Sequence, residues 1–193
     1  MSDISSESTV PATGAARRAL IGVARRWPTW CGLAAAGLSA LDLGDGRGQA
    51  LVVFLAALIY LGTAVVGRPG VVWPLFGASV VAVTLLRLLD ADPWPALVGG
   101  AVSIAVIGLV DGLLRRPRLT AAQFPAMLVF GGAALIAMSL SPAVGGYLVA
   151  AALIAHGTLD IVVWRANKVV ARSLAEFCAV LDLTLGVAIL VLI

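Results

Sequence analysis

QALVVFLAALIYLGTAVVG, residues 49–67, carries no charged side chain in nineteen consecutive positions. A helix needs roughly 20 mostly apolar residues to cross a hydrocarbon core of about 30 Å. A stretch this apolar has no polar face to turn towards water, so it does not read as the surface helix of a soluble domain. Its surroundings repeat the pattern. Thr29–Leu43 precedes it, and Val71–Leu89, Ala96–Leu114, Ala121–Leu140, Ala143–Trp164 and Ser173–Ile193 follow, joined by loops too short to hold a domain. The sequence thus predicts an all-α integral membrane protein with seven transmembrane helices, the first of them the shortest and rich in Gly and Ala. Composition agrees: 61% of residues are hydrophobic and 12% charged, with a mean hydropathy of +1.06. A soluble domain carries about twice that charge.

The net charge of +3 would suggest a nucleic-acid partner only if the basic residues formed a patch. They sort by loop instead. Arg17, Arg18, Arg25, Arg26, Arg68, Arg115, Arg116, Arg118, Arg165, Lys168 and Arg172 fall on alternate connections, leaving only Arg47 and Arg87 on the others. Cytoplasmic loops carry the Lys and Arg excess. The expected location is therefore the cell (plasma, or bacterial inner) membrane as a multi-pass protein, N-terminus cytoplasmic and C-terminus outside. No nucleic-acid footprint remains.

Residues 1–14 are polar and Ser/Thr-rich and read as a disordered tail. Residues 15–27 read as an interfacial amphipathic helix, with Arg17, Arg18, Arg25 and Arg26 towards anionic headgroups, and Pro28 separates it from the first span. The same stretch has the basic character of a signal-peptide n-region, but Leu38 at the −3 position of the nearest small-residue site argues against cleavage. Residues 28–193 form a single transmembrane domain.

The second, fourth and sixth spans open alike, at Ala50-Leu51-Val52, Ala96-Leu97-Val98 and Ala143-Val144. Two of the three basic turns are followed by an aromatic–Pro pair, Trp73-Pro74 and Phe124-Pro125. This suggests three hairpin repeats after a first single helix. Ala78/Ala82, Gly99/Ser103, Ala133/Ala137 and Gly146/Ala150 are small pairs four apart, a spacing that lets helix backbones approach.

Gly99-Gly100…Gly108-Leu109-Val110-Asp111-Gly112, Gly145-Gly146-Tyr147-Leu148…Gly157 and Phe130-Gly131…Ser141-Pro142 resemble the short hairpin repeat of HdeD-like acid-resistance membrane proteins. The resemblance covers two of the three hairpins. It implies a small multi-helix protein linked to acid stress and supplies no catalytic residue. The extra first helix, and the set His156, Asp160 and Asp182, depart from that pattern.

Charged groups at mid-bilayer cost roughly 2.5–3.5 kcal/mol on insertion scales, so each needs a reason. Asp42, Asp90 and Arg87 lie near a span end, Asp111 has Arg115 at i+4, and Glu176 has Arg172 at i−4. The last two spans are different. His156, the chain's single histidine, lies nine residues before Arg165, about 13 Å in from the basic end, and Asp182 lies about 15 Å in from the same end. Antiparallel neighbours would bring them to one level. Asp160 shares the face of His156 one turn lower, and Trp164 and Asn167 extend that stripe; Cys178 shares the face of Asp182.

These residues suit either a hydrogen-bonded lock between the last two helices or a polar site: His156 as proton acceptor, Asp160 orienting it, Asp182 as partner or cation ligand. Cys178, Trp164 and Thr84 are candidate pathway walls, with Ser103 and Ser139 as further polar positions. Cys31 and Cys178 form no CxxC pair and read as apolar packing. The spacing matches no recognised metal motif, so neither metal nor cofactor is expected. HExxH, GxSxG and a phosphate-cradling Gly loop are missing, so no catalytic residue is assigned. The expected function is a small transporter or channel for a proton, ion or small polar solute. The alternative is a non-catalytic accessory protein that stabilises a membrane complex or answers acid stress. A homo-oligomer or a membrane-protein partner fits either.

Overall fold

The computed structural model describes Arg17 and residues 21–193. The expected tail, and Arg18 with most of the first half of the expected interfacial helix, lie outside the described residues. The described chain is helical without strands. Its long helices are α1 (Trp27–Ala40), α2 (Ala50–Val66), α3 (Val72–Leu88), α4 (Trp94–Val110), α5 (Gln123–Ser139), α6 (Pro142–Ala166) and α7 (Arg172–Leu192). Five of them, α2, α3, α5, α6 and α7 with their flanking turns, are long and apolar enough to cross a membrane; α4 is apolar but shorter.

Local chemistry sets the ends. Pro28, Pro95 and Pro142 stand in the first turns of α1, α4 and α6, where a missing N–H costs nothing because that group has no intrahelical acceptor. Trp73-Pro74 and Phe124-Pro125 occupy the same place in α3 and α5. Gly67, at φ 74°, closes α2 in the left-handed conformation.

Cross-connections define two ends of the bundle. At the basic end, Arg26 and Thr29 meet Glu176, Trp73 Nε1 donates to Ser173 Oγ at 3.0 Å, and Arg116 donates to the carbonyls of Ala64 and Val65. At the opposite end, Gln49 donates to the Ser39 carbonyl, and Arg47 joins Asp45 to the Leu140 carbonyl.

α6 and α7 make the closest pair; α1 packs on α7, and α5 bridges α2 and α6. α2 is the hub, with 72% of its apolar window buried against 11% for α3. The three hairpins therefore do not pack alike. The period of the sequence reflects span length, while α3 and α4 sit on the rim, attached chiefly to α2.

Four expectations are corrected. The chain breaks at Arg26, and Pro28 is buried inside α1 rather than separating two elements. Glu176 turns to Arg26 and Thr29 of α1, not to Arg172, whose guanidinium stacks on Trp164 at 4.6 Å. α4 ends at Val110, so Asp111 lies in a turn outside the helical i, i+4 geometry and forms no ion pair with Arg115. Cys31 is exposed on α1, so only Cys178 packs in the interior. Of the small pairs, Gly146/Ala150 is buried and Ala133/Ala137 partly so, whereas Ala78/Ala82 and Gly99/Ser103 face outward.

Candidate functional site: a buried His–Asp cluster

Two glycines put α6 and α7 in close contact. A Cβ on Gly157 would meet Leu183 Cγ at 2.9 Å, and one on Gly186 would meet Ile154 Cγ1 at 2.8 Å and the Ala150 carbonyl at 3.0 Å. Each helix thus presses a side chain into the other's glycine. His156 adjoins Gly157 and Asp182 adjoins Leu183, so this contact sets their separation. His156 Nδ1 lies 2.8 Å from Asp182 Oδ2 and 3.4 Å from Asp160 Oδ2. One proton is shared between His156 Nδ1 and Asp182 Oδ2 in this hydrogen bond. All three residues have an exposure of 1% or less.

Asp182, rather than Asp160, is therefore the closer partner of the imidazole. Asp160 approaches the same nitrogen from one turn away on α6. The ring is held from two further helices: Phe130 of α5 at 5.0 Å between centroids and Tyr60 of α2 at 5.3 Å, both edge-on. The site is thus a junction of α2, α5, α6 and α7. Sequence reasoning missed Tyr60 and Phe130. Tyr60 is the one aromatic hydroxyl within residues 49–67, a polar group in an otherwise apolar span that would have been the available signal.

The junction is short of hydrogen bonds. Both oxygens of Asp160, Oδ1 of Asp182 and the Tyr60 hydroxyl are buried without a partner. Buried polar atoms are nearly always satisfied, so four such atoms around one imidazole are unusual. Two carboxylates thus face one imidazole. His156, Asp160 and Asp182 each offer a donor atom within 4.8 Å of the others, a spacing that a single cation spans.

The remaining candidates separate. Cys178 is buried and lines an apolar cavity of about 190 Å³ that Asp182 also lines. Trp164 is half-buried at the basic end under Arg172, and Asn167 closes α6 at φ 50°. Thr84 is exposed on α3 and lines none of the cavities described here. Ser103 and Ser139 are exposed, each donating to a carbonyl of its own helix. Arg17, Arg25 and Arg26 are exposed, as a headgroup-facing stretch requires.

No family model, curated protein or solved structure matches this chain. The function must therefore be argued from the junction itself.

Proposed function

We propose that the protein is a multi-pass membrane protein with seven spans, its basic end cytoplasmic and its C-terminus outside, that moves a proton, ion or small polar solute through the α2–α5–α6–α7 junction. The observation that carries this reading is the pairing of two buried carboxylates with one imidazole, three of their four oxygens without a partner. An isolated ionised carboxylate is very costly to bury and must be neutralised or paired. If both carboxylates are ionised and His156 is protonated, one negative charge is left to be offset by a proton or another cation. A lock between two helices needs one carboxylate, not two with three unpartnered oxygens.

One cavity reaches Asp182, and a separate small pocket lies nearer the basic end. Towards the Asp45 end, the apolar cavity shares Ser39 and Val52 with a more polar pocket of about 400 Å³ that includes Asp42, Gln49 and Arg87. Towards the basic end, Thr63 lies one helical turn from Tyr60 and lines a pocket of about 60 Å³ with Gly67 and Thr120. In this reading the imidazole exchanges its cargo between the two sides, Asp182 is its immediate partner, and Asp160 is the second counter-charge.

The test is proton and cation flux in proteoliposomes, comparing wild type with Asp182→Asn and His156→Ala, each first shown to be folded. Wild-type flux should fall at least tenfold in both variants. Wild type without flux, alongside variants that lose only thermal stability, overturns the reading. That outcome favours the accessory role, complex-stabilising or acid-stress related. The observation behind that second reading is the outward face of α3, whose apolar window is only 11% buried; capture of a stable membrane partner lost on altering that face would support it.

A further inference from the structure

The 190 Å³ cavity lies between α1, α2, α3 and α7. Its walls are Ala, Val, Leu, Ile and Phe side chains, with Ser39, Ser79, Cys178 and Asp182 as the polar or sulfur-bearing exceptions. Asp182 is the only ionisable carboxylate among them, and its Oδ1 is buried without a partner.

One end of the cavity is closed. Phe76 and Phe177 belong to its lining and meet at 5.6 Å between centroids. Behind them Trp73 packs on Phe76 at 5.7 Å and on Trp27 at 5.4 Å. This aromatic group joins α1, α3 and α7 at the basic end, reinforced by the Trp73–Ser173 and Thr29–Glu176 hydrogen bonds. At the other end the cavity shares the lining residues Ser39 and Val52 with the pocket bearing Asp42 and Arg87.

This lining does not suit a file of water. A buried water needs two to four polar partners, and apolar cavities of about 150 Å³ stay dry yet bind small aromatic molecules. Nor does it suit a hydrated metal ion, which would lose its shell against hydrocarbon. It suits an apolar body bearing one cationic donor group: the body fills the cavity, and the donor meets Asp182, whose Oδ1 has no partner.

We propose that the cavity is a binding site for small protonated amines with an apolar body, admitted from the Asp42–Arg87 end, whose ammonium group donates to Asp182. The assignment rests on the junction being the substrate centre argued above, and it names the substrate class. Binding sites of this kind pair an apolar lining with a few placed polar groups that fix orientation. Asp182 is fully buried, so the head group displaces neighbouring side chains to reach it. Cys178, one turn before Asp182 and also in the lining, is the adjacent one. The aromatic group packs at the basic end of the cavity, away from the proposed entry.

The probes are benzylamine and its neutral counterpart benzyl alcohol, titrated against the purified full chain with Trp fluorescence and calorimetry as readouts. Wild type should bind benzylamine at least tenfold more tightly than benzyl alcohol. Asp182→Asn should bring that ratio to about one. Ala35→Phe, a substitution in the half-buried wall on α1, should abolish binding of both, which keeps the test decisive if Asp182→Asn fails to fold. Equal affinities in wild type, or unchanged benzylamine binding in Ala35→Phe, overturn the proposal. Proton flux measured without amine separates the two readings. Flux through the cluster with no benzylamine binding overturns the amine assignment and leaves the transport reading standing. Saturable, Asp182-dependent binding without any flux supports the amine site and overturns transport.

Discussion

His156 meets two carboxylates through one nitrogen, and the two contacts are unequal: 2.8 Å to Asp182 and 3.4 Å to Asp160. Removing the closer partner leaves the buried Nδ1 with only the longer contact to Asp160. Asp182→Ala should therefore cost stability on the scale of a broken buried charged pair, about 3–5 kcal/mol. Asp160→Asn should cost less, because its contact with the imidazole is the longer one, at 3.4 Å; thermal melts of the two variants check the order. Outside the spans, Asp45 accepts hydrogen bonds from the Arg47 side chain and backbone, and that side-chain bond chiefly holds its carboxyl below the ordinary value of 3.8. A lowered folded-state value means the contribution is complete above the unfolded value and fades as pH falls through the folded one. The Arg47 bridge from Asp45 to the Leu140 carbonyl should thus be unaffected near neutrality and loosen only below about pH 4. Exchange of the backbone amides around Arg47 would report it, and protection lost at pH 6 would contradict it. His156, Asp160 and Asp182 were legible in the sequence because polar groups in apolar spans are conspicuous. Phe130 was not, since one phenylalanine in an apolar helix is ordinary, and for Tyr60 the one signal was its hydroxyl in an otherwise apolar span.

Helices α6 and α7 approach through Gly157 and Gly186, each filled by the partner's side chains. Gly157→Val places branched carbons where Leu183 already stands. Overpacking of this kind costs about 1–3 kcal/mol, and it should also push Asp182 away from His156, so stability and flux fall together. A variant with flux lost and stability untouched would show that Gly157 acts otherwise. α1 is tied to α7 by Thr29 Oγ1 donating to Glu176 Oε1 at 2.6 Å, beside Arg26 at 3.3 Å. A hydrogen bond to a charged acceptor is worth about 1.5–3 kcal/mol, so Thr29→Val should lower stability by that amount in a double-mutant cycle with Glu176→Gln. Near-additive effects would mean the contact contributes little. The existence and length of every long helix were readable from apolar run length, to within a few residues at each end. The turn at Val110–Asp111 was not, because Leu113 and Leu114 continue the apolar run while Gly112, at φ 71°, breaks the helix.

Across the whole molecule, basic residues gather on the connections at one end of the bundle, and cross-links between ends keep the helices in register. If that end is cytoplasmic, Lys168→Cys should react with a membrane-impermeant maleimide only in inverted vesicles and Ser141→Cys in intact cells, both in a background of Cys31→Ser and Cys178→Ser. Labelling of both from one side would refute the seven-span arrangement. Run length, hydropathy and charge asymmetry are additive along the chain, so the sequence by itself determined the helical class, the number of long helices and the depth of each polar group on its axis. Depth follows from a rise of about 1.5 Å per residue and needs no neighbour. Rotation about the axis does need one. In a helix apolar all round, no polar face marks which side turns inward, so only the tertiary structure decided that α2 is the hub. The same packing brought Tyr60 and Phe130 to the imidazole, turned Glu176 towards α1 and placed Thr84 outside the site. It also made Asp182 the link between a buried charge cluster and an apolar cavity, because that link depends on how four helices are rotated against one another.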